Sequence, residues 1–133
     1  MEIRFQNSPA ETSTMNTEAL RRNFLIEGLM QDDTLKLVYS HYDRVIIGGA
    51  RPVSKKVELI NEPELRSEYF LERREMGIIN VGGKGTITAD GQEYSLEKLE
   101  ALYLGKGTKS VSFSSADAKG PAIFYILSAP AHK

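Results

Sequence analysis

The chain has 133 residues, of which 41% are hydrophobic and 26% charged, and its formal net charge at pH 7 is -1. This composition is typical of one globular domain and excludes a chain too polar to bury a core. The balanced charge gives no electrostatic reason to expect nucleic acid or an anionic membrane as a partner. The chain has no cysteine and two histidines. This excludes disulfides, zinc ribbons, cysteine nucleophiles and a metal site built from histidine side chains alone.

The N-terminal part is predicted to form an arm followed by one short helix. Residues 1–16 are polar and lack periodicity, which is typical of a segment that stays mobile unless another subunit holds it. They contain no apolar signal segment, and no apolar run in the chain is long enough to span a membrane, so we expect a cytoplasmic protein. Asn16 or the next residue can cap a helix in which Leu20 and Phe24 share a face, and Gly28 is expected to end it.

After residue 30 the hydrophobic pattern has a period of two, which predicts β-strands. The predicted strands lie at residues 35–39, 45–47, 53–59, 69–73, 78–81, 86–89, 93–96, 101–104, 110–113 and 122–127. Asp90-Gly91 suits a two-residue type I′ hairpin, because both central residues of that turn need a positive φ. Many short strands with almost no helix between them indicate an all-β antiparallel sandwich or barrel. We therefore expect an arm and helix over residues 1–30 and a β-barrel domain over residues 31–133.

The order of strands and glycine turns resembles the cupin double motif. In that motif two histidines and a glutamate precede a glycine turn, and a third histidine follows a later turn. The glutamate and the glycine turn match Glu75 and Gly82, whereas the three histidine positions hold Tyr69, Leu71 and Ser110. The resemblance implies a cupin-like antiparallel jelly-roll barrel with one short N-terminal helix. It also implies that no metal is bound in this chain, since only one of the four usual ligands remains.

Five segments, in the same order, resemble the N-terminal half of the 5-keto-4-deoxyuronate isomerase family. They are residues 17–21, 38–44, 69–75, 102–107 and 129–132. The resemblance implies a ketol-isomerase that interconverts 5-keto-4-deoxyuronate and 3-deoxy-D-glycero-2,5-hexodiulosonate in pectin and uronate degradation. Members of the family are hexameric bicupins whose zinc site, three histidines and a glutamate, lies in the second cupin. The expected partners are thus the small keto-deoxyuronate, a second cupin half and further copies of the chain.

Three residues are candidates for catalysis. His41 and Asp43 lie two positions apart, so on a strand they would share one face and could serve a metal ion or a proton relay. The alternative is a hydrogen-bonded structural pair or an interface contact, because one histidine supplies too few ligands for a metal site. Glu75 is the third candidate, as the remaining glutamate of the cupin pattern.

Four basic residues are candidates for binding the substrate carboxylate. Arg73 and Arg74 carry guanidinium groups, which can hold a carboxylate through two parallel hydrogen bonds. The alternative is that they form local ion pairs or a subunit contact. Lys106 and Lys109 flank a glycine turn at the predicted mouth of the barrel, where they either attract an anionic sugar or are simply solvated.

Three functions follow from these observations. The first is the N-terminal domain of a uronate ketol-isomerase, with the catalytic metal in the other half. The second is a non-catalytic cupin module for oligomer assembly or sugar-acid binding. The third is an independent metal enzyme that uses His41, Asp43 and Glu75.

Overall fold

Two β-sheets packed face to face make up the body of the molecule, in a computed structural model that describes residues 1–132. The strands are β1 (Glu2–Arg4), β2 (Leu35–Ser40), β3 (Ile46–Ala50), β4 (Val57–Glu58), β5 (Arg74–Asn80), β6 (Gly85–Ala89), β7 (Gln92–Leu96), β8 (Ala101–Leu104), β9 (Val111–Ser115) and β10 (Phe124–Pro130). The larger sheet has the order β1-β2-β3-β10-β5-β8, and the smaller sheet has the order β4-β9-β6-β7. The neighbouring strands that the structure describes are antiparallel, except for β1 and β2, which are parallel. The predicted all-β architecture is confirmed.

The inner faces of the two sheets share one hydrophobic core. Phe113 of β9 and Phe124 of β10 meet across the sandwich with ring centroids 5.4 Å apart, and both are fully buried. On β5, Met76 and Ile78 point into this core, while the residues between them face outward. This alternation fixes which side chains of the larger sheet reach the interior and which form its outer surface.

The N-terminal arm is more ordered than its composition predicts. Strand β1 pairs with β2, and a five-residue helix, α1 (Pro9–Ser13), begins at a capping box between Ser8 and Glu11. The predicted helix follows as α2 (Thr17–Phe24), capped by Asn16 as expected. It ends four residues before Gly28, because Leu25 already has extended backbone angles. Among residues 1–132, no helix is both long enough and apolar enough to cross a membrane.

The predicted strand at residues 69–73 is wrong. This segment is a loop that follows a 3-10 helix (Pro63–Leu65), and β5 begins only at Arg74. Its consecutive residues Phe70 and Leu71 are both buried, so the loop inserts two neighbouring side chains into the barrel instead of alternating them. The Leu71 carbonyl accepts a hydrogen bond from the Gly107 N–H, at 2.8 Å, which ties the loop to the turn after β8.

Two aspartates fix the loops at the sheet edges. Asp90 and Gly91 both have a positive φ, of 48° and 82°, so the predicted two-residue hairpin between β6 and β7 is confirmed. The Asp33 carboxylate accepts hydrogen bonds from the backbone N–H groups of Val53, Ser54 and Lys55. Those bonds hold residues 53–55 outside the ladder, so only the short strand β4 remains of the strand predicted at residues 53–59.

Candidate functional site

A cleft of about 350 Å³ opens at one end of the larger sheet. It lies where the β2–β3 turn, the start of β5 and the end of β10 come together, and the loop after β4 closes its side. Three arginines, Arg44, Arg73 and Arg74, line it, and we call it the arginine cleft. Its apolar wall includes Ile3, Leu65 and Phe70. The cleft thus combines positive charge with a hydrophobic surface.

Arg74 is the buried anchor of the arginine cleft. As the first residue of β5 it faces inward, and only 7% of its surface is exposed. Its Nε donates to the Ser128 hydroxyl at 3.1 Å, and its Nη2 donates to the carbonyls of Arg44 and Ser128 at 2.6 and 3.0 Å. The Ser128 hydroxyl in turn donates to the Glu75 carbonyl at 2.7 Å. These bonds hold the guanidinium in a fixed orientation.

The acceptors around Arg74 are neutral. Neither Arg74 nor Arg44 forms an ion pair with a carboxylate within residues 1–132. Burial lowers the pKa of the Arg74 guanidinium below its ordinary value; Tyr39 opposes this change, and the Arg44 cation adds to it. The cationic form of Arg74 is therefore stabilised less here than in water.

The one acidic residue that lines the cleft is already engaged elsewhere. The Glu64 carboxylate lies 3.9 Å from the N-terminal amino group of Met1, which also contacts Glu62 at 3.6 Å. Arg73 is exposed, pairs with Glu72 at 3.6 Å and donates to the Arg66 carbonyl. The described lining therefore holds three arginines against one carboxylate.

Aromatic rings form a second wall of the cleft. Phe5 stacks on His41 with centroids 4.7 Å apart, and His41 meets the edge of Tyr39 at 5.1 Å. The Arg74 guanidinium carbon lies 5.8 Å from the centre of the Tyr39 ring, within the range of a cation–π contact. The arm thus lines the cleft through Ile3 and supports His41 through Phe5.

The structure brings His41, Arg73 and Arg74 together, but it separates them from Asp43. The prediction that His41 and Asp43 share a strand face is wrong, because β2 ends at Ser40 and both residues lie in the following turn. Asp43 and Arg44 there have left-handed backbone angles, with φ of 56° and 55°. Asp43 is exposed and does not line the cleft.

Glu75 lies on the opposite side of the sheet from Arg74. Because neighbouring strand residues point to opposite faces, Arg74 faces the interior and Glu75 faces outward. Its carboxylate accepts a hydrogen bond from the Tyr103 hydroxyl at 2.7 Å, and this bond raises the pKa of Tyr103. Glu75 therefore supports the outer surface of the larger sheet.

Lys106 and Lys109 also lie away from the cleft. Both are exposed in the turn after β8, and the Lys109 ammonium lies 5.9 Å from the centre of the Tyr69 ring. Neither lysine lines the arginine cleft, so the structure does not combine the four predicted basic residues into one site.

The described residues do not fit the zinc ion of the cupin pattern. No group of three or more His, Cys, Asp or Glu side chains within residues 1–132 is placed to hold a metal. The inward position beside Glu75 belongs to Arg74, a guanidinium that cannot ligate a cation, and the buried Leu71 occupies a histidine position of the motif. We derive no catalytic step through a metal in this chain.

Sequence reasoning missed two functional residues of the cleft lining, Arg44 and Tyr39, and one residue that holds Arg74 in place, Ser128. Arg44 lies two residues before β3, in a turn with two consecutive left-handed residues that no local sequence pattern indicates. Ser128 faces inward on an otherwise apolar strand. A buried serine on such a strand is the one signal that could have indicated a polar partner inside.

Comparison with known proteins identifies the relatives of the chain. No protein-family model matches it. It is 54% identical over 132 residues to the 4-deoxy-L-threo-5-hexosulose-uronate ketol-isomerase of Lachnoclostridium phytofermentans, which covers 99% of this chain and 48% of that protein. The chain matches the N-terminal half of this relative. The enzyme of the same name from Formosa agariphila is 53% identical over 131 residues, which cover 98% of the chain and 47% of the relative.

The chain spans about half the length of the curated relatives that it matches. Solved structures similar to it are cupins. The Cupin_2 domain of an XRE family transcriptional regulator from Enterobacter cloacae has a TM-score of 0.51 at 12% identity, covering 74% of this chain and 97% of that one. The cupin domain of Cnp3 from Schizosaccharomyces pombe has a TM-score of 0.51 at 11% identity, covering 73% and 64%. The predicted cupin-like fold is confirmed.

Proposed function

We propose that the protein to which this chain belongs is a 4-deoxy-L-threo-5-hexosulose-uronate ketol-isomerase. It would interconvert this keto-deoxyuronate and 3-deoxy-D-glycero-2,5-hexodiulosonate during pectin and uronate degradation in the cytoplasm. The observation that carries the proposal is the 54% identity to such an isomerase over 99% of the chain. Identity spread over the whole chain, including strands, turns and the N-terminal arm, is more than a shared cupin fold requires.

We further propose that the two halves have different tasks. The catalytic zinc would lie in the second cupin, a part of the relatives that this chain does not match. Residues 1–132 support this division, since they offer guanidinium groups for an anion but no cluster of metal ligands. This half would contribute anion recognition and assembly.

The second cupin half and further copies of the chain, up to a hexamer, are the proposed protein partners. Supporting this, the outward face of β5, β8 and β10 is apolar and unusually exposed. We call it the apolar outer face, and it consists of Gly77, Ile79, Ala101, Tyr103, Tyr125 and Leu127. Tyr103 is 66% exposed and Leu127 is 44% exposed. Contiguous exposed apolar residues with a polar surround are typical of surfaces that a partner covers.

The alternative is a cupin module without catalytic role, which only assembles or binds a sugar acid. The fold and the arginine cleft suit it equally well. It is not favoured, because the high identity over nearly the whole chain is to proteins named as uronate ketol-isomerases.

The test joins these 133 residues to the second half of the L. phytofermentans relative and measures isomerisation of 4-deoxy-L-threo-5-hexosulose uronate with zinc present. The joined protein should turn over the substrate, and the 133-residue chain alone should not. Turnover by the chain alone would place catalysis in this half and make His41, Asp43 and Glu75 the first residues to replace. A folded, zinc-loaded but inactive joined protein, beside an active relative, would favour the module without catalytic role.

A further inference from the structure

The arginine cleft contains a cation that the rest of the chain does not neutralise. Arg74 is more than nine-tenths buried, and its hydrogen bonds go to one hydroxyl and two backbone carbonyls. A buried charge without an opposite charge is costly, so such groups are usually paired with an anion. A second cation, Arg44, lies next to it instead of a carboxylate. The chain therefore keeps an arrangement that an incoming anion would stabilise.

The hydrogen bonds of Arg74 leave one nitrogen of its guanidinium group without a partner. Nε and Nη2 are engaged by Ser128 and Arg44, whereas Nη1 makes no hydrogen bond with any residue in 1–132. If Arg74 Nη1 were fully buried, it would be a buried nitrogen without a partner. The only such side-chain atom in residues 1–132 is Arg51 Nε, so Arg74 Nη1 is accessible to solvent. A held guanidinium with one accessible N–H edge is preorganised to donate to a ligand.

The strained backbone of the β2–β3 turn places a second guanidinium at the same opening. Asp43 and Arg44 both adopt left-handed backbone angles, which are unfavourable for a residue such as arginine that has a long side chain on its Cβ. Those angles direct the Arg44 carbonyl to the Arg74 guanidinium and leave the Arg44 side chain on the cleft lining. Arg73 adds a third cation from the adjacent loop.

We propose that the arginine cleft binds the carboxylate of a hexuronate, with Arg74 as the fixed anchor and Arg44 and Arg73 as exposed partners. The apolar wall of Leu65 and Phe70 would contact the carbon-bound hydrogens of the sugar. A site of three cations beside an apolar wall fits a monocarboxylate sugar acid better than a small inorganic anion, which would leave that wall uncovered. The proposal rests on the proposed function for the choice of a uronate.

The test measures binding to the 133-residue chain by isothermal titration calorimetry, with D-galacturonate, D-galactose and inorganic phosphate as probes. D-galacturonate should bind at least about tenfold more tightly than the neutral D-galactose, because a charge-assisted hydrogen bond is lost with the carboxylate. It should also bind more tightly than phosphate. Raising the salt concentration should weaken the binding of D-galacturonate.

Four variants locate the binding. Arg44→Ala and Arg73→Ala remove exposed cleft arginines and should each weaken D-galacturonate binding by about tenfold. Arg74→Lys keeps the charge but loses the planar fork, and should weaken it by at least as much. Arg22→Ala, an exposed arginine of α2, makes the same change in net charge away from the cleft and should leave binding unchanged.

Equal binding of D-galacturonate and D-galactose, or equal effects of Arg44→Ala, Arg73→Ala and Arg22→Ala, would overturn the proposal. Tighter binding of phosphate than of D-galacturonate would overturn the assignment to a uronate. If Arg74→Lys does not fold, the binding measured with Arg44→Ala and Arg73→Ala still tests the proposal. If the chain binds D-galacturonate but the joined protein is inactive, the isomerase function is refuted and the carboxylate site stands. If the joined protein is active but the chain does not bind D-galacturonate, the carboxylate site is refuted and the isomerase function stands.

Discussion

Ser128 determines how Arg74 presents its charge. Its hydroxyl accepts from Arg74 Nε and donates to the Glu75 carbonyl, and the residue is fully buried. The same strand would be apolar on its inner face without this serine, since Phe124 and Ile126 precede it there. One hydroxyl therefore makes an inward-facing guanidinium compatible with the barrel.

Replacing Ser128 with alanine should destabilise the chain. The change removes the acceptor of a buried charged N–H, and an unsatisfied buried group costs roughly 1–3 kcal/mol. Urea denaturation measures the free energy of unfolding. The control is Ser112→Ala on β9, a buried serine whose hydroxyl makes none of the hydrogen bonds found in residues 1–132. Similar losses for both variants would mean that Ser128 does not support Arg74.

For single residues, the type of side chain was the feature of the sequence that best indicated the cleft. Arginine fork chemistry indicated Arg73 and Arg74 as anion ligands, and the structure places both on one cleft. Their orientation could not be predicted, because it depends on the register in which β5 pairs with its neighbours. A shift of one residue exchanges the two faces of a strand, and the observed register turns Arg74 inward and Glu75 outward.

Strand β3 shows how an element is shaped by what packs on it. Its central residues are Gly48 and Gly49. A Cβ atom on Gly49 would lie 2.6 Å from the Met30 sulfur and 2.7 Å from the Leu29 carbonyl oxygen. The segment after α2 therefore packs directly on the backbone of β3, which only glycine permits.

Gly49→Ala should destabilise the chain by roughly 1–3 kcal/mol, because a backbone carbonyl must move to make room. Gly77→Ala on β5 is the matched control, since its added Cβ would meet only the Leu127 carbonyl oxygen at 3.9 Å. That change should be neutral or slightly stabilising, as alanine loses less entropy than glycine in a strand. Thermal or urea unfolding distinguishes the two, and equal stabilities would contradict the close packing on β3.

The elements with local signals were predicted well, and those that depend on distant contacts were not. The helix cap at Asn16 and the Asp90-Gly91 hairpin are encoded within a few residues, and both are confirmed. Strand β1 has no local signal: three polar-flanked residues become a strand only because they pair with β2, more than thirty positions away. The 66–73 loop similarly takes its shape from the barrel that buries Phe70 and Leu71.

The molecule as a whole has two surfaces of opposite character. The arginine cleft is positively charged and lies at the end of the larger sheet, whereas the apolar outer face covers the outward side of β5, β8 and β10. Glu75 and Arg74 are adjacent in sequence, yet one supports the apolar outer face and the other anchors the cleft. Because neighbouring residues of β5 point to opposite faces, this one strand contributes to both the proposed binding site and the proposed contact surface.

Leu127→Glu should disrupt the proposed contact surface and leave the arginine cleft intact. The change places a carboxylate on the apolar outer face, where a docked partner would have to desolvate it. We expect the chain to bind the separately produced second half of the L. phytofermentans relative, and this variant to weaken that binding by at least about tenfold. Sedimentation velocity of the mixture measures it.

The control for Leu127→Glu is Leu99→Glu, which introduces the same charge at a residue that is 72% exposed and lies outside the apolar outer face. Its binding to the second half should stay unchanged, and both variants should keep the D-galacturonate affinity, since neither residue lines the arginine cleft. If the two variants bind the second half alike, the face does not contact that half. If Leu127→Glu alters only the association of the chain with itself, the face joins copies of the chain, and the second half docks elsewhere.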